Sequence, residues 1–263
     1  MDILSRIVNK KIDELRYLKK SIPISDLENS SFFSRKNKSI SSSIINKDLG
    51  IIAEHKRKSP SKSNINQLTS SEKIIKGYDN AGAAAISILT EKNFFDGSRN
   101  DLIEARKLTE LPILRKDFII DEYQIIESKS IGADGILLIA ACLEKKEIIR
   151  LSKLAKSLDL EVLIEIHDMS EISRSCIESV DIIGINNRNL KTFDVQIKTS
   201  LDLIKEIPEQ YTKISESGIS KVSDIIELKN CGFDGFLIGE SFMKTEDPGL
   251  SLSKFIRKVK DES

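Results

Sequence analysis

The feature that most constrains this chain is a rhythm. From Ile51 onward, short apolar runs alternate with stretches of helical spacing, and the alternation repeats eight times. The runs at 51–57, 84–90, 112–118, 135–141, 161–167, 182–187, 212–216 and 235–239 read as strands. Their near-continuous apolar starts suit a parallel sheet covered by helices. Helical patterns fill the intervals at 72–81, 98–108, 122–131, 144–158, 169–178, 197–207, 221–231 and 248–260. Strand starts recur about every 21 to 33 residues, the length of one βα unit. Eight such units predict an α/β fold, a closed (β/α)₈ TIM barrel rather than an open sheet. Gly132-Ala133-Asp134-Gly135 and Gly232-Phe233-Asp234-Gly235 precede the fourth and eighth strands and read as one αβ turn used twice.

Ahead of the rhythm, residues 1–20 carry Ile3, Leu4, Ile7, Val8, Ile12, Leu15 and Leu18 among many lysines. That spacing predicts a helix with one apolar face. Residues 21–50 are rich in Ser, Asn and Lys, with Leu27, Phe32 and Phe33 as apolar anchors, and read as a second, shorter helix followed by a loop. Residues 1–50 are therefore expected as a helical extension packed on the barrel, within one domain spanning 1–263.

Composition narrows the function classes. Lys plus Arg and Asp plus Glu both number 41, so no basic field points to a nucleic-acid partner. Cys142, Cys176 and Cys231 are odd in number and far apart, as expected of reduced thiols in a cytoplasmic protein. His55 and His167 are too few for a His-rich metal site, and neither metal nor cofactor is expected. The N-terminus has no apolar signal region and no run reaches membrane-spanning length, so no membrane partner is predicted.

In parallel barrels, chemistry gathers where strands end, and the charged residues here follow that rule. Side-chain alternation puts Ile52, Glu54 and Lys56 on one face of the first strand. It likewise groups Leu114, Lys116 and Phe118 on the third, Leu163, Glu165 and His167 on the fifth, and Gly184, Asn186 and Arg188 on the sixth. The seventh strand ends in Glu216-Ser217-Gly218 and the eighth in Gly239-Glu240-Ser241. Singly, each charge is the solvated end of a strand, and Glu165 is a plain counter-charge for Lys116 or Lys56. Jointly, acids, amines and an amide converge on one cavity, where a low dielectric displaces pKa values as acid–base chemistry requires. A structural salt-bridge network is the competing reading of the same set. Gly218 and Gly239 stand where barrel enzymes bind phosphate through backbone N–H groups, though either alone is equally a tight turn. Neither a P-loop nor a GxGxxG fingerprint is present, so a nucleotide is not suggested.

The segments IIAEHKRKSPS, SILTEKNFFDGS, LPILRKDFIIDEYQI, LLIAACL, EVLIEIHD, IIGINNRNLKTFDV, ISESGIS and FLIGESFM occur in this order across 51–245. Together they resemble the indole-3-glycerol phosphate synthase family, and the N-terminal helical extension fits it too. The resemblance implies a cofactor-independent carboxy-lyase of tryptophan biosynthesis. It would convert the phosphosugar 1-(2-carboxyphenylamino)-1-deoxyribulose 5-phosphate to indole-3-glycerol phosphate, carbon dioxide and water. It also implies a monomer or weak dimer, with room for association with other tryptophan-pathway enzymes.

By resemblance, Lys116 is the general acid that protonates the ketone oxygen, a role that suits a lysine if nearby cations or burial lower its pKa toward neutrality. Glu165 is the second acid–base group, assisting loss of the hydroxyl. Glu54 and Asn186 orient substrate hydroxyls and the catalytic chains. Lys56 contacts the phosphate or the carboxylate and shares in proton transfer, while Glu216 and Ser217 complete the polar rim. Arg188, Gly218, Gly239 and the backbone near Glu240 hold the phosphate, with Ser59 also among the binding residues. Phe95, Phe118, Leu89, Leu137, Ile139 and Leu190 form the apolar pocket for the aromatic ring. Three features depart from the pattern or sit awkwardly in it. Ser63 replaces a frequent loop glycine, Glu240 would repel a phosphate unless its side chain points away, and the resemblance assigns His167 no role. A phosphoribosylanthranilate isomerase would want a Cys/Asp pair at strand ends, and only Cys142 lies near such a position. A non-catalytic phosphosugar-binding barrel would expect the Glu54/Lys56/Lys116/Glu165 set to be broken, and it is whole.

Overall fold

The computed structural model describes residues 2–262. Three helices precede the barrel: α1 (Ile3–Ser21), α2 (Ile24–Glu28) and α3 (Ile40–Ile45). The alternation then runs β1 (Gly50–His55), α4 (Ser71–Asn80), β2 (Ala85–Leu89), α5 (Lys92–Phe95), α6 (Arg99–Leu108), β3 (Ile113–Lys116), α7 (Glu122–Ser130) and β4 (Gly135–Ile139). It continues with α8 (Lys145–Ser157), β5 (Glu161–Ile166), α9 (Met169–Ser175), β6 (Ile182–Asn186), α10 (Lys198–Leu203), β7 (Thr212–Glu216), α11 (Val222–Asn230), β8 (Gly235–Ile238), α12 (Glu240–Met243) and α13 (Pro248–Glu262). Short 3₁₀ turns follow β4 and α10. All eight strands are parallel, and β8 closes on β1 with Gly50 opposite Gly235 and Ala53 opposite Ile238.

The period-two alternation sorts the core into two layers. Ile52, Leu114, Leu163, Ile182, Ile214 and Leu237 fill the barrel interior. Their neighbours Ile51, Ala53, Ile86, Ile136, Ile164 and Ile183 face the surrounding helices. Strands buried on both sides must be apolar on both sides, which is why their starts read as unbroken runs. β1 and β3 stop two residues short of the expected ends, where Lys56 and Phe118 leave the ladder at the barrel mouth.

The αβ turns are a repeated device. Asp134 N–H donates to the Ile113 carbonyl at 2.8 Å and its Oδ2 accepts from Ile113 N–H at 2.8 Å. Asp234 makes the same pair of bonds with Lys213, at 2.9 and 2.7 Å. Asp181 makes them with Val162, at 3.0 and 2.8 Å.

One expectation needs correction. Residues 21–50 hold not one short helix and a loop but two short helices, and the second, α3, plugs the barrel floor. Its Ile40 and Ile44 are fully buried among the interior residues. The N-terminus of α3 is pinned by Glu161, whose carboxylate accepts from Ser39 Oγ (2.6 Å), Ile40 N–H (2.7 Å), Ser41 N–H (2.9 Å) and Ser41 Oγ (2.7 Å). Three strand-start glycines make room for the plug. A Cβ on Gly50 or Gly235 would come 2.7 Å from Ile44, and one on Gly135 would come 2.7 Å from Ile40. A helix this short shows no periodicity of its own, and its anchor lies more than a hundred residues away in sequence.

Candidate active site

The C-terminal ends of the strands open into a cavity of about 470 Å³. The strand residues at its base point inward because they continue the interior parity of Ile52, Leu114 and Leu163. Past the last apolar layer, the same positions become Glu54, Lys116 and Glu165, followed by Asn186 and Glu216 from β6 and β7. All of the sequence-chosen positions line this one cavity: Glu54, Lys56, Ser59, Leu89, Phe95, Lys116, Phe118, Leu137, Ile139, Glu165, Asn186, Arg188, Leu190, Glu216, Ser217, Gly218, Gly239 and Glu240.

Lys116 is the hub. Its Nζ lies 2.5 Å from Glu216 Oε2 and 3.3 Å from Glu165 Oε2. Burial alone would depress its pKa, but Glu216, Glu165 and Glu54 outweigh burial and hold it well above the ordinary lysine value. A pKa lowered toward neutrality, the condition under which a lysine suits the general-acid role, is not met: three carboxylates surround the ammonium and keep it charged. Glu165 goes the opposite way from a buried acid. Burial would raise it, but Lys116, His167 and the Asn186 amide hold it well below the usual carboxylate range. Glu216 is raised by burial and by the charges of Glu165 and Glu54, against the pull of Lys116, and settles at about 7. Its Oε1 is buried and lacks a hydrogen-bond partner. Glu54, also buried, pairs with Lys56 at 2.6 Å, and Lys56 and Lys116 keep it ionised against the cost of burial.

Two glycines are set by these carboxylates rather than by their own backbone. A Cβ on Gly184 would lie 2.2 Å from Glu216 Oε1, and one on Gly239 would lie 2.6 Å from Glu54 Oε1. Phe95 and Phe118 face each other at the cavity wall, ring centroids 6.0 Å apart. At the rim, Glu240 does not turn away as a phosphate neighbour would have to. Its carboxylate lies 2.5 Å from Lys62 and 3.9 Å from Arg188, so two cations neutralise it.

Sequence reasoning missed the contribution of α1. Ile3, Leu4 and Ile7 line the cavity, so the upper part of the helix's apolar face is cavity wall and not only packing surface. The helix is held there by Lys11, buried, whose Nζ is 3.0 Å from Asp117 Oδ1, next in sequence to Lys116. A lysine within an apolar stripe was the available signal. His55 points outward, as its parity requires, and lies 3.4 Å from Ser71 Oγ. His167 stands behind Glu165, its Nε2 3.1 Å from Oε1. Among the described residues, no cluster of three or more His, Cys, Asp or Glu side chains is disposed to hold a metal, and no helix is long and apolar enough to cross a membrane.

A closed eight-stranded barrel, with a buried lysine among carboxylates beside an aromatic wall at its C-terminal mouth, defines a (β/α)₈-barrel enzyme of the acid–base kind. The family model for indole-3-glycerol phosphate synthase matches residues 4–257. The chain belongs to the indole-3-glycerol phosphate synthase family, whose members are carboxy-lyases. It is 45% identical over 258 residues to the indole-3-glycerol phosphate synthase of Bacteroides thetaiotaomicron, covering 98% of this chain and 99% of the relative. It is 44% identical over 258 residues to that of Caldanaerobacter subterraneus, with the same coverage of 98% and 99%. Among solved structures, 3-hexulose-6-phosphate synthase from Salmonella typhimurium superposes with a TM-score of 0.63 at 13% identity, over 80% of this chain and 100% of that one. A mutant tryptophan synthase α-subunit from Pyrococcus furiosus superposes with a TM-score of 0.60 at 17% identity, over 81% of this chain and 98% of that one. At those identities the likeness concerns the barrel alone.

Proposed function

We propose that this chain closes the indole ring of 1-(2-carboxyphenylamino)-1-deoxyribulose 5-phosphate, releasing carbon dioxide and water. The observation that carries the reading is the placing of Lys116, a buried ammonium 2.5 Å from Glu216 and 3.3 Å from Glu165, two carboxylates that their surroundings push in opposite directions. Pairs of titratable groups driven apart by their surroundings are the mark of assigned acid and base roles.

In this reading the anthranilate ring sits against Phe95, Phe118, Leu89, Leu137, Ile139 and Leu190. Lys56, Ser59, Arg188 and the backbone at Gly218, Gly239 and Glu240 hold the phosphate end. As the carboxylate-bearing ring carbon attacks the ketone, Lys116 gives its proton to the ketone oxygen, leaving a hydroxyl. Loss of carbon dioxide restores the aromatic ring, and the apolar wall favours that step because charge disperses as it proceeds. In the dehydration, Glu165, ionised at rest, takes a proton from the ring CH2 beside the nitrogen and delivers it to the hydroxyl, whose C–O bond breaks so that it leaves as water; Lys116 regains its proton from solvent. Glu54 and Asn186 orient the substrate hydroxyls, and Glu216 and Ser217 complete the polar rim beside Lys116. Phosphate entry competes with Glu240 for Lys62 and Arg188, so binding requires that carboxylate to shift. The enzyme is proposed to work in the cytoplasm as a monomer or weak dimer, with association with other tryptophan-pathway enzymes a separate matter for test.

The test is turnover. Purified protein given the carboxyphenylamino-deoxyribulose phosphate is expected to produce indole fluorescence and carbon dioxide in equal amounts. Folded protein that yields neither at saturating substrate would overturn the proposal.

A further inference from the structure

His167 is not part of the proposed machinery, yet it is built into it. Glu165 divides its two oxygens between two cations: Oε2 lies 3.3 Å from Lys116 Nζ, and Oε1 lies 3.1 Å from His167 Nε2. On the other side of the ring, Nδ1 lies 3.5 Å from Glu171 Oε2, and the same carboxylate oxygen accepts from the His167 backbone N–H at 2.8 Å; neither ring nitrogen makes a hydrogen bond, so both ring contacts are charge pairs. Glu171 is held in turn by Arg174, whose Nη2 is 3.1 Å from Glu171 Oε1 and donates to the Ala140 carbonyl at 3.2 Å. Charges thus alternate outward from the pocket: Lys116, Glu165, His167, Glu171, Arg174. The last three line a second cavity of about 650 Å³ between the loops that follow β5 and β6. His167 does not line the substrate cavity, so the imidazole reaches the reaction only through Glu165.

We infer that His167 is a positioning residue for the proposed reaction: it fixes Glu165 Oε1 from behind, so that Oε2 alone faces Lys116 and the substrate. The inference rests on the reaction proposed above and deepens it. A carboxylate attracted to one side only could rotate to present either oxygen, and small errors of orientation are costly in a preorganised site. Glu171 serves the imidazole as the imidazole serves Glu165, fixing ring orientation and favouring its charged form. Burial opposes that charge, but Glu165 and Glu171 outweigh burial and raise His167 to about 10. The other charged groups on its sides are Lys116 and Glu216 toward the barrel, and Asp2, Asp168, Arg174, Arg188, Lys191 and Asp194 around the second cavity. The Cys142 thiol also lies near Glu165 and Glu171 and is pushed up by burial and by both of them, so it stays neutral.

The test compares the parent enzyme with His167→Gln and Glu171→Gln, by steady-state kinetics across pH and by ¹⁵N NMR of the histidine rings. His167→Gln is expected to lower kcat by about tenfold or more, within the range of acid–base effects, with KM changed less than about twofold. The acid-side limb of its pH profile should move upward, because Glu165 loses a cation and binds a proton more readily. Glu171→Gln should shift kcat and the limb in the same direction by less. In the parent, both His167 nitrogens should carry protons at pH 8. A His167→Gln enzyme with parental kcat and parental acid limb, or a neutral His167 ring at pH 8, would overturn the inference. If His167→Gln does not fold, Glu171→Gln and the NMR state of the parent decide it. If the parent does not turn over this substrate, the proposed reaction fails, while the NMR result still decides whether His167 is held charged against Glu165.

Discussion

Lys116 Nζ stands 2.5 Å from Glu216 Oε2, joining the end of β3 to the end of β7 directly across the barrel mouth. The other Glu216 oxygen has no partner and occupies the space that Gly184 leaves by lacking a side chain. The lysine is thus held at rest by a carboxylate whose position depends on a glycine one strand away. Gly184→Ala is expected to displace Glu216 from Lys116 and to lower kcat by about tenfold or more, an effect in the range of a misplaced acid–base partner. The barrel should survive, since β6 keeps its backbone pairing with β5 and β7. Kinetics and an unfolding curve on the same preparation check this, and parental kcat in a folded Gly184→Ala protein would contradict it.

The chain's only two histidines are expected to titrate on opposite sides of the ordinary value. His55 is lowered to about 4 by burial and by Arg57. His167 is raised to about 10 by its two glutamates. Histidine ring NMR should therefore show two transitions, with none near 6.5. Stability follows with opposite signs. The contribution of neutral His55 is present above about pH 6.5 and lost as pH falls through 4. That of charged His167 is complete below about pH 6.5 and lost as pH rises through 10. Unfolding curves of His167→Gln against the parent should converge across that alkaline window, and a constant difference would count against the assignment.

The α3 plug makes a stability expectation that leaves catalysis alone. Ile44 is fully buried in the barrel floor, packed where Gly50 and Gly235 have no side chains. Ile44→Ala should cost about 2–5 kcal/mol, the range for truncating a buried isoleucine. Urea denaturation measures the loss, and kcat in the folded variant should stay within about twofold, since the plug and the active site lie at opposite ends of the barrel. A variant of parental stability would mean that the floor closes without the plug.

Much of this was legible in the sequence, for a physical reason. A strand buried on both faces must announce itself as an apolar run, and eight such runs at βα spacing leave few folds available. Glu54, Lys116 and Glu165 were legible because each continues the inward parity of an apolar residue two positions earlier. The α3 plug was not legible, since its helicity depends on Glu161 and its burial on Gly50 together with the distant Gly135 and Gly235. The wall formed by Ile3, Leu4 and Ile7 looked like ordinary packing surface, because periodicity gives a face but not its partner. The protonation state of Lys116 was not legible, because burial lowers a lysine while neighbouring carboxylates raise it. Only the distances to Glu216, Glu165 and Glu54 show which effect wins.

The central claim, that Lys116 supplies the proton for ring closure, is tested most directly by Lys116→Ala in the indole fluorescence assay. Loss of the general acid should lower kcat by at least about 10²- to 10⁴-fold. The protein should stay folded, because Glu216, already at about 7 beside the ammonium, can take a proton once that charge is gone. Turnover at the parental rate by a folded Lys116→Ala enzyme would contradict the claim.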